Sequence, residues 1–534
     1  MAVAMEDIAA GEGHLAIRNP HELAQTDHGG QEQIVADSMG GIVLEALGLS
    51  LQQHHHGPPP GGDVQGFVGR IQNKNVTHAN PGITVHAKWA DAVNSVPQVT
   101  INHHESPFPE RQPPDRQDKG AAVPPLEDLA GAARQRAWVD VDTGAITANT
   151  RALRRWLGER TALMAVVKAD GYGHGAVTVA RAAAAGGATS FGVATLSEGL
   201  ELRRAGIQAP VLLLGNLTQP EELRLCLRWR LMPTLSTMRE ALLCQNLASG
   251  SGRPMAVQLK LDTGMARLGA DWREGPRLVA ALHELDAIQL VGTYSHLASA
   301  DAPPDHDDGL TAEQQHRFQT VIDSLQQQGL PAGSLHLANS AGTLRSTALH
   351  YDLVRVGLAL YGHAPAQHLE EVVPLQSAMQ LRARVTLVRE VPAGVGVSYG
   401  HRHITSRPSR LAVVGIGYAD GVPRLLSGRM EALHQGRRLP QVGAITMDQL
   451  MLDATDCPQL DVGSVVTLLG REQDGEAEIS PRIWSERCGT IPWEILCGFK
   501  HRLPRLRDGQ QAGPADRLGR PSGEVAERLK AAPC

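Results

Sequence analysis

Aromatic residues are scarce: Trp 7, Tyr 6 and Phe 5 among 534 residues. With so few tyrosines, each one inside a polar motif merits individual weighing. An excess of one charge is also lacking, since 50 Lys+Arg against 56 Asp+Glu leave a net charge of −6. No broad basic field therefore points to nucleic acid or acidic lipid. No apolar run approaches the roughly 20 residues that a membrane helix needs. The opening MAVAMEDIAAGEGHLAIRNPHE has no basic start followed by an apolar stretch, so no secretory signal is expected. The expectation is a cytoplasmic protein without a membrane or nucleic-acid partner. Six cysteines (Cys226, Cys244, Cys457, Cys488, Cys497, Cys534) never fall at CxxC spacing. They suggest neither a disulfide framework nor a zinc site, and no metal is expected.

What is present divides the chain into regions. Residues 1–133 hold ten of the 23 histidines and twelve of the 33 prolines, with QQHHHGPPPGGD in their midst. Such a stretch reads as a poorly ordered extension, because ligand partners at metal spacing are missing beside the histidines. From residue 134 to 375, apolar runs alternate with helical periods. The runs are LMAVVK (163–168), SFGVAT (190–195), PVLLLG (210–215), LMPTLS (231–236), AVQLKLD (256–262), QLVGTYSH (289–296), SLHLAN (334–339) and LVRVGLALYG (353–362). Eight strands alternating with helices predict a (β/α)8 barrel, with TGAITANTRALRRWLG as a separate helix before the first strand. A doubly wound open sheet is the structural rival, but no GxGxxG turn follows any strand. Residues 376–507 carry closely spaced strands with little helix between them, which predicts a mainly β domain. Residues 508–534 read as a polar, disordered tail.

One segment carries chemistry directly. In ALMAVVKADGYGHG, a strand delivers Lys168 at its C-terminal end, where barrels place their reactive groups. Burial disfavours an ammonium there and would free the amine for a Schiff base, whereas a snorkelling lysine is the plainer reading. Tyr172 and His174 follow in a glycine-spaced loop suited to a phosphate.

VVKADGYGHG resembles the pyridoxal-phosphate (PLP) motif of bacterial alanine racemases. The resemblance continues in order through KLDTGMARLG (260–269), YSHLASAD (294–301), ANSAG (338–342), VRVGLALYG (354–362), VSYG (397–400), GIGYADG (415–421), GAITMDQ (443–449) and IPWEILCGFKHRLPR (491–505). It covers residues 134–505. It implies a PLP-binding barrel followed by a β domain, and PLP-dependent interconversion of L- and D-alanine for peptidoglycan synthesis. Inverting a carbon centre needs a proton removed on one face and one supplied on the other, so two acid/base groups are expected. The resemblance implies Lys168 and Tyr418 for these, with Lys168 also carrying the cofactor.

Further roles follow residue by residue from the same resemblance. His296, backed by Arg355, would assist Tyr418, and Arg355 would face the pyridine nitrogen. Tyr172, Ser340 and the amides of Gly357 and Leu358 would hold the phosphate; Ser340 on its own reads as a helix cap. Arg267 and Met447 would bind the substrate carboxylate, supported by Lys260 and Asp448. Lys260 matches a lysine carbamylated in some members. In the family the tyrosine base and the MDQ element come from the other subunit, which implies a homodimer with shared active sites. Two departures stand out: Trp493 replaces a tyrosine that touches the phosphate, and Ala444 and Thr446 replace Arg and Cys. A broader amino-acid racemase is a second reading, since a methylene is worth only about 1–3 kcal/mol of discrimination. A PLP-carrier protein or a related decarboxylase fits less well, because the first lacks a GYADG and MDQ domain and the second has a Cys/Asp signature not evident here.

Overall fold

The computed structural model describes residues 83–86, 100–103, 136–303, 309–472 and 477–507. In the first of two units, Met1–Gln117, the described residues are the strands Ile83–His86 and Thr100–His103, paired antiparallel with Ile83 opposite His103. The sequence reading placed no strand pair there. The disorder expected of the N-terminal extension and of the tail falls outside the described residues.

In the second unit, eight strands follow the expected apolar runs: Ala162–Val166, Ser190–Val193, Val211–Asn216, Leu231–Leu235, Met255–Asp262, Ile288–Tyr294, Ser334–His336 and Leu353–Val356. They pair in parallel, and Leu353–Val356 returns to lie beside Ala162–Val166 with Arg355 opposite Met164. The ring closes between the last two strands, where Asp352 N–H donates to Leu335 O and Arg355 N–H to Ala338 O, both at 3.0 Å. Side chains alternate across a strand, so two apolar groups result. Met164, Leu212, Met232, Tyr294 and Leu353 form a core cluster of their own, the filling of the ring. Leu163, Ala165, Val211, Leu213 and Val257 join the main core with the surrounding helices.

Local signals start the helices. Thr195 and Thr237 each accept from the amide of a glutamate three residues on, and Glu198 and Glu240 bond back to complete capping boxes. Asp142 caps the helix Thr143–Leu157, which precedes the barrel as its sequence suggests. Two elements depart from expectation. The run 353–362 is a strand only to Val356; Gly357 (φ −110, ψ −95) breaks it, and Leu358–Tyr361 makes a 3-10 turn closed by Gly362 at φ 93. That break frees the amides of the turn from a strand ladder.

The second departure concerns Ala137–Val141, which lies outside the barrel. It pairs antiparallel with Met379–Val391 and parallel with Arg505–Arg507, inside a nine-stranded sheet built otherwise from the C-terminal region. On Met379–Val391, Met379, Leu381, Ala383 and Val385 are buried at every second position. The short helices Pro481–Cys488 and Pro492–Cys497 interrupt a region read as strands. Among the described residues no helix is long and apolar enough to cross a membrane.

Two glycines provide a test of how tightly the barrel meets the sheet. A Cβ on Gly362 (φ +93) would stand 1.9 Å from Gln376 O, whereas one on Gly206 (φ +84) would meet nothing within 4 Å. Gly362→Ala should cost roughly 3–5 kcal/mol in urea unfolding and Gly206→Ala only about 1–2 kcal/mol. Equal costs would contradict the packing.

Candidate functional site

Lys168 follows the first barrel strand at the C-terminal end of the ring and is half-buried. The residues after it wind left-handed: Ala169 (φ 53, ψ 51), Asp170 (φ 52, ψ 47), Gly171 (φ 59, ψ 44) and Tyr172 (φ 54). This conformation costs roughly 1–2 kcal/mol for each non-glycine residue, so surrounding groups must hold it. Glu198 Oε1 accepts the Ala169 N–H at 2.7 Å, and Asp170 Oδ1 accepts that of Ala176 at 2.9 Å. His174 Nδ1 lies 3.1 Å from Gly171 O and 3.0 Å from Tyr172 O, so that nitrogen carries the proton and donates to both. The Tyr361 ring backs the turn, 4.8 Å from Tyr172 and 4.5 Å from His174, and its hydroxyl donates to Val166 O at 3.0 Å. Lys168 thus projects from a backbone fixed on several sides.

Beside it a donor-rich cradle forms. Ser340 Oγ accepts from Gly357 N at 2.9 Å and Ala359 N at 3.5 Å. The cap of its own helix is Asn339 instead, which corrects the plain reading of Ser340. A Cβ on Gly357 would fall 2.5 Å from the Tyr172 hydroxyl, so only glycine lets strand end and phenol approach this closely. Burial pushes the Tyr172 phenol well above its ordinary pKa, which keeps it a donor.

Arg355 is 3% exposed. Its Nη1 donates to His336 Nδ1 (3.0 Å) and His336 O (3.2 Å). Its Nη2 donates to Ser295 O (2.7 Å), His296 Nδ1 (3.1 Å) and Leu337 O (3.1 Å). The guanidinium is thus held by carbonyls and imidazoles, and burial lowers its pKa to about 10. His336 Nε2 donates to Gln258 Oε1 at 2.8 Å, leaving Nδ1 to accept from Arg355. Burial first, and then the Arg355 charge, holds both His296 and His336 well below the usual imidazole pKa. They are neutral acceptors.

A tyrosine that sequence reasoning did not assign organises this cluster. Tyr294 stacks on His336 (4.7 Å, 9°), with Arg355 at 5.0 Å and Lys260 Nζ at 5.5 Å from its ring centroid. Its face attracts both cations. Burial, then Arg355 and Arg267, lowers the Lys260 pKa to about 8. Arg267 is exposed on the loop that follows the fifth barrel strand, within electrostatic reach of Lys260 and His296. Trp493 packs half-buried against the core. Glu198, His336 and Gln258 were likewise unassigned, although the Thr-x-x-Glu spacing of Glu198 was a visible cue.

Tyr418, Met447 and Asp448 form a separate group on the β domain. Tyr418 is 40% exposed and Met447 53%. The Tyr418 amide donates to Thr446 O and the Ala419 amide to Met447 O, both at 3.0 Å. Among the described residues, no hydrogen bond joins Tyr418 or Met447 to the Lys168–Arg355 group. The structure therefore collects the barrel candidates in one place and these three in another.

The barrel group fits an anionic aromatic cofactor: an amine, hydroxyl and amide donors beside Gly357, and a buried cation converge at one end of the ring. Comparisons with known proteins agree. Family models described as "Alanine racemase, N-terminal domain" and "Alanine racemase, C-terminal domain" match residues 141–365 and 378–507. A protein of Prochlorococcus marinus named alanine racemase is 57% identical over 374 residues, 70% of this chain and 96% of that protein. The crystal structure of alanine racemase from Streptomyces lavendulae aligns with TM-score 0.65 at 38% identity, covering 70% of this chain and 97% of that one. A Bartonella henselae alanine racemase, solved with covalently bound pyridoxal phosphate, aligns with TM-score 0.61 at 32% identity over 70% and 99% of the two chains.

The buried imidazole of His174 predicts an acid response. Burial pushes its pKa from 6.5 down to about 3, while the unfolded imidazole keeps its ordinary value. Below pH 6.5 the unfolded chain therefore binds a proton that the folded chain refuses, and stability falls toward pH 3. His174→Asn should make that fall shallower by up to about 1.4 kcal/mol per pH unit in denaturant titrations. An unaltered slope would contradict the assignment.

Proposed function

The chain belongs to the alanine racemase family, and from that premise we propose that it interconverts L- and D-alanine using pyridoxal 5'-phosphate. When bound, this cofactor supplies the electron sink that lets the Cα–H of an amino acid ionise. The observation that carries the reading is the placement of Lys168 just past the strand Ala162–Val166, whose neighbour Leu353–Val356 carries Arg355, so that a half-buried amine and a sealed guanidinium stand on adjoining parts of the ring. Lys168 holds the cofactor and moves a proton on one face of Cα, abstracting it from D-alanine. Tyr418 moves the proton on the other face, abstracting it from L-alanine.

The remaining residues bind and orient. Tyr172, Ser340 and the amides of Gly357 and Leu358 hold the phosphate. Arg355 stays charged at neutral pH and would be the residue set toward the pyridine nitrogen, discouraging its protonation. His296, neutral with Nδ1 accepting from Arg355, carries its proton on Nε2 and donates it to the Tyr418 oxygen, which assists ionisation of the phenol. Arg267 and the Met447 backbone orient the substrate carboxylate, with Lys260 and Asp448 in support. Because Tyr418 and Met447 are exposed and unbonded to the barrel group, a homodimer that inserts them into a partner's barrel completes each site. The product, D-alanine, serves peptidoglycan synthesis in the cytoplasm.

Absorption and isotope exchange test this reading. Lys168→Ala should lose the visible-edge band of the bound cofactor together with activity. Tyr418→Phe should keep the band and lose racemisation by about 10²–10⁴-fold in both directions. In D2O it should still exchange the α-hydrogen of D-alanine, with retention, through Lys168. Racemisation by Tyr418→Phe at the parent rate would overturn the two-base assignment.

A further inference from the structure

The turn that carries Tyr418 contains a carboxylate, Asp420, with no exposed surface. Arg136 grips both of its oxygens, Nη1 to Oδ2 at 2.7 Å and Nη2 to Oδ1 at 2.6 Å, and also donates to Gly415 O at 3.0 Å. Asp420 Oδ2 accepts the Gly417 N–H at 3.0 Å. Arg502 joins from the other side. Its Nε lies 3.5 Å from Asp420 Oδ1 and its Nη2 2.6 Å from Asp448 Oδ1. Two guanidiniums and two carboxylates thus link the residue just before the strand Ala137–Val141, the GYADG turn, the MDQ loop and the segment after the last described helix.

The two loops are also pressed together. A Cβ on Gly417 would meet Met447 O at 2.4 Å, and one on Gly421 would meet Gly498 O at 2.4 Å. Little apolar packing can orient an exposed phenol on such a turn, so directional bonds must do so. Bidentate guanidinium–carboxylate pairs fix geometry more than they add stability. We propose that Arg136, Asp420, Arg502 and Asp448 form a positioning network that presents Tyr418 and Met447 as one rigid unit. Arg502 is its bridge, since it alone contacts both carboxylates. The inference rests on the two-base reading above.

The test separates positioning from mere folding. Arg502→Ala leaves the bidentate Arg136–Asp420 pair intact, and Asp448→Asn cuts the same link at an exposed side chain. With a displaced Tyr418, racemisation by the full-length, cofactor-loaded protein should fall roughly 10–100-fold. Exchange of the D-alanine α-hydrogen in D2O, whose proton transfer uses Lys168 and not Tyr418, should fall less than racemisation, so the ratio of exchange to racemisation rises. Amide hydrogen exchange on the cofactor-free protein gives a second readout. The Tyr418 and Ala419 amides should lose protection while barrel amides keep theirs. A parallel loss of exchange and racemisation in both variants, or unaltered racemisation and protection, would overturn the network's role. If Tyr418→Phe itself left the ratio unchanged, the two-base reading would fail instead.

Discussion

A carbon centre is inverted only when a proton leaves one face and another arrives on the opposite face, and a single rigid side chain reaches one face alone. On the proposed reading, Lys168 would supply one of these two groups within the barrel. Lys168 projects from a left-handed turn whose amides, ring stack and glycine contacts hold it in place. Such immobility suits an amine that must address one face, and it prevents that amine from serving the other. The second acid/base group must come from elsewhere, and the exposed Tyr418 is presented on a different sheet.

Electrostatics then decide which protonation states are available. A buried guanidinium is costly unless its donors are met, and Arg355 meets carbonyls and imidazoles, with no carboxylate paired to it among the described residues. Its charge therefore remains to act on what binds above it. The same charge helps keep His296 and His336 neutral, and it lowers the Lys260 pKa after burial. Tyr294 tempers the concentration of positive charge with its ring face. The barrel interior is thus a set of matched compensations around one cation.

Much of the fold was legible because its signals are local. Apolar runs marked all eight barrel strands, and the glycine spacing around Tyr172 and Tyr418 marked tight turns. What escaped is non-local. Nothing in AWVDV distinguishes a barrel strand from one that pairs with Met379–Val391, more than two hundred residues later. The strand reading of 353–362 failed at Gly357, because apolar composition is the same in a strand and in a 3-10 turn. Arg136 and Arg502 carry no spacing cue, since their partner Asp420 lies far off in sequence or beyond a loop. Lys168, Arg355 and Tyr418 were proposed from motif order, whereas the contacts of Tyr294 and His336 with Arg355 needed coordinates.

The account stands on one site being built from two chains, and mixed dimers address that most directly. Lys168→Ala and Tyr418→Phe proteins, each inactive alone, are unfolded together and refolded. A heterodimer then has one site with both changes and one with neither. Random pairing should restore about a quarter of the parent racemase activity. Mixtures that stay as inactive as the separate variants, while forming heterodimers, would contradict it.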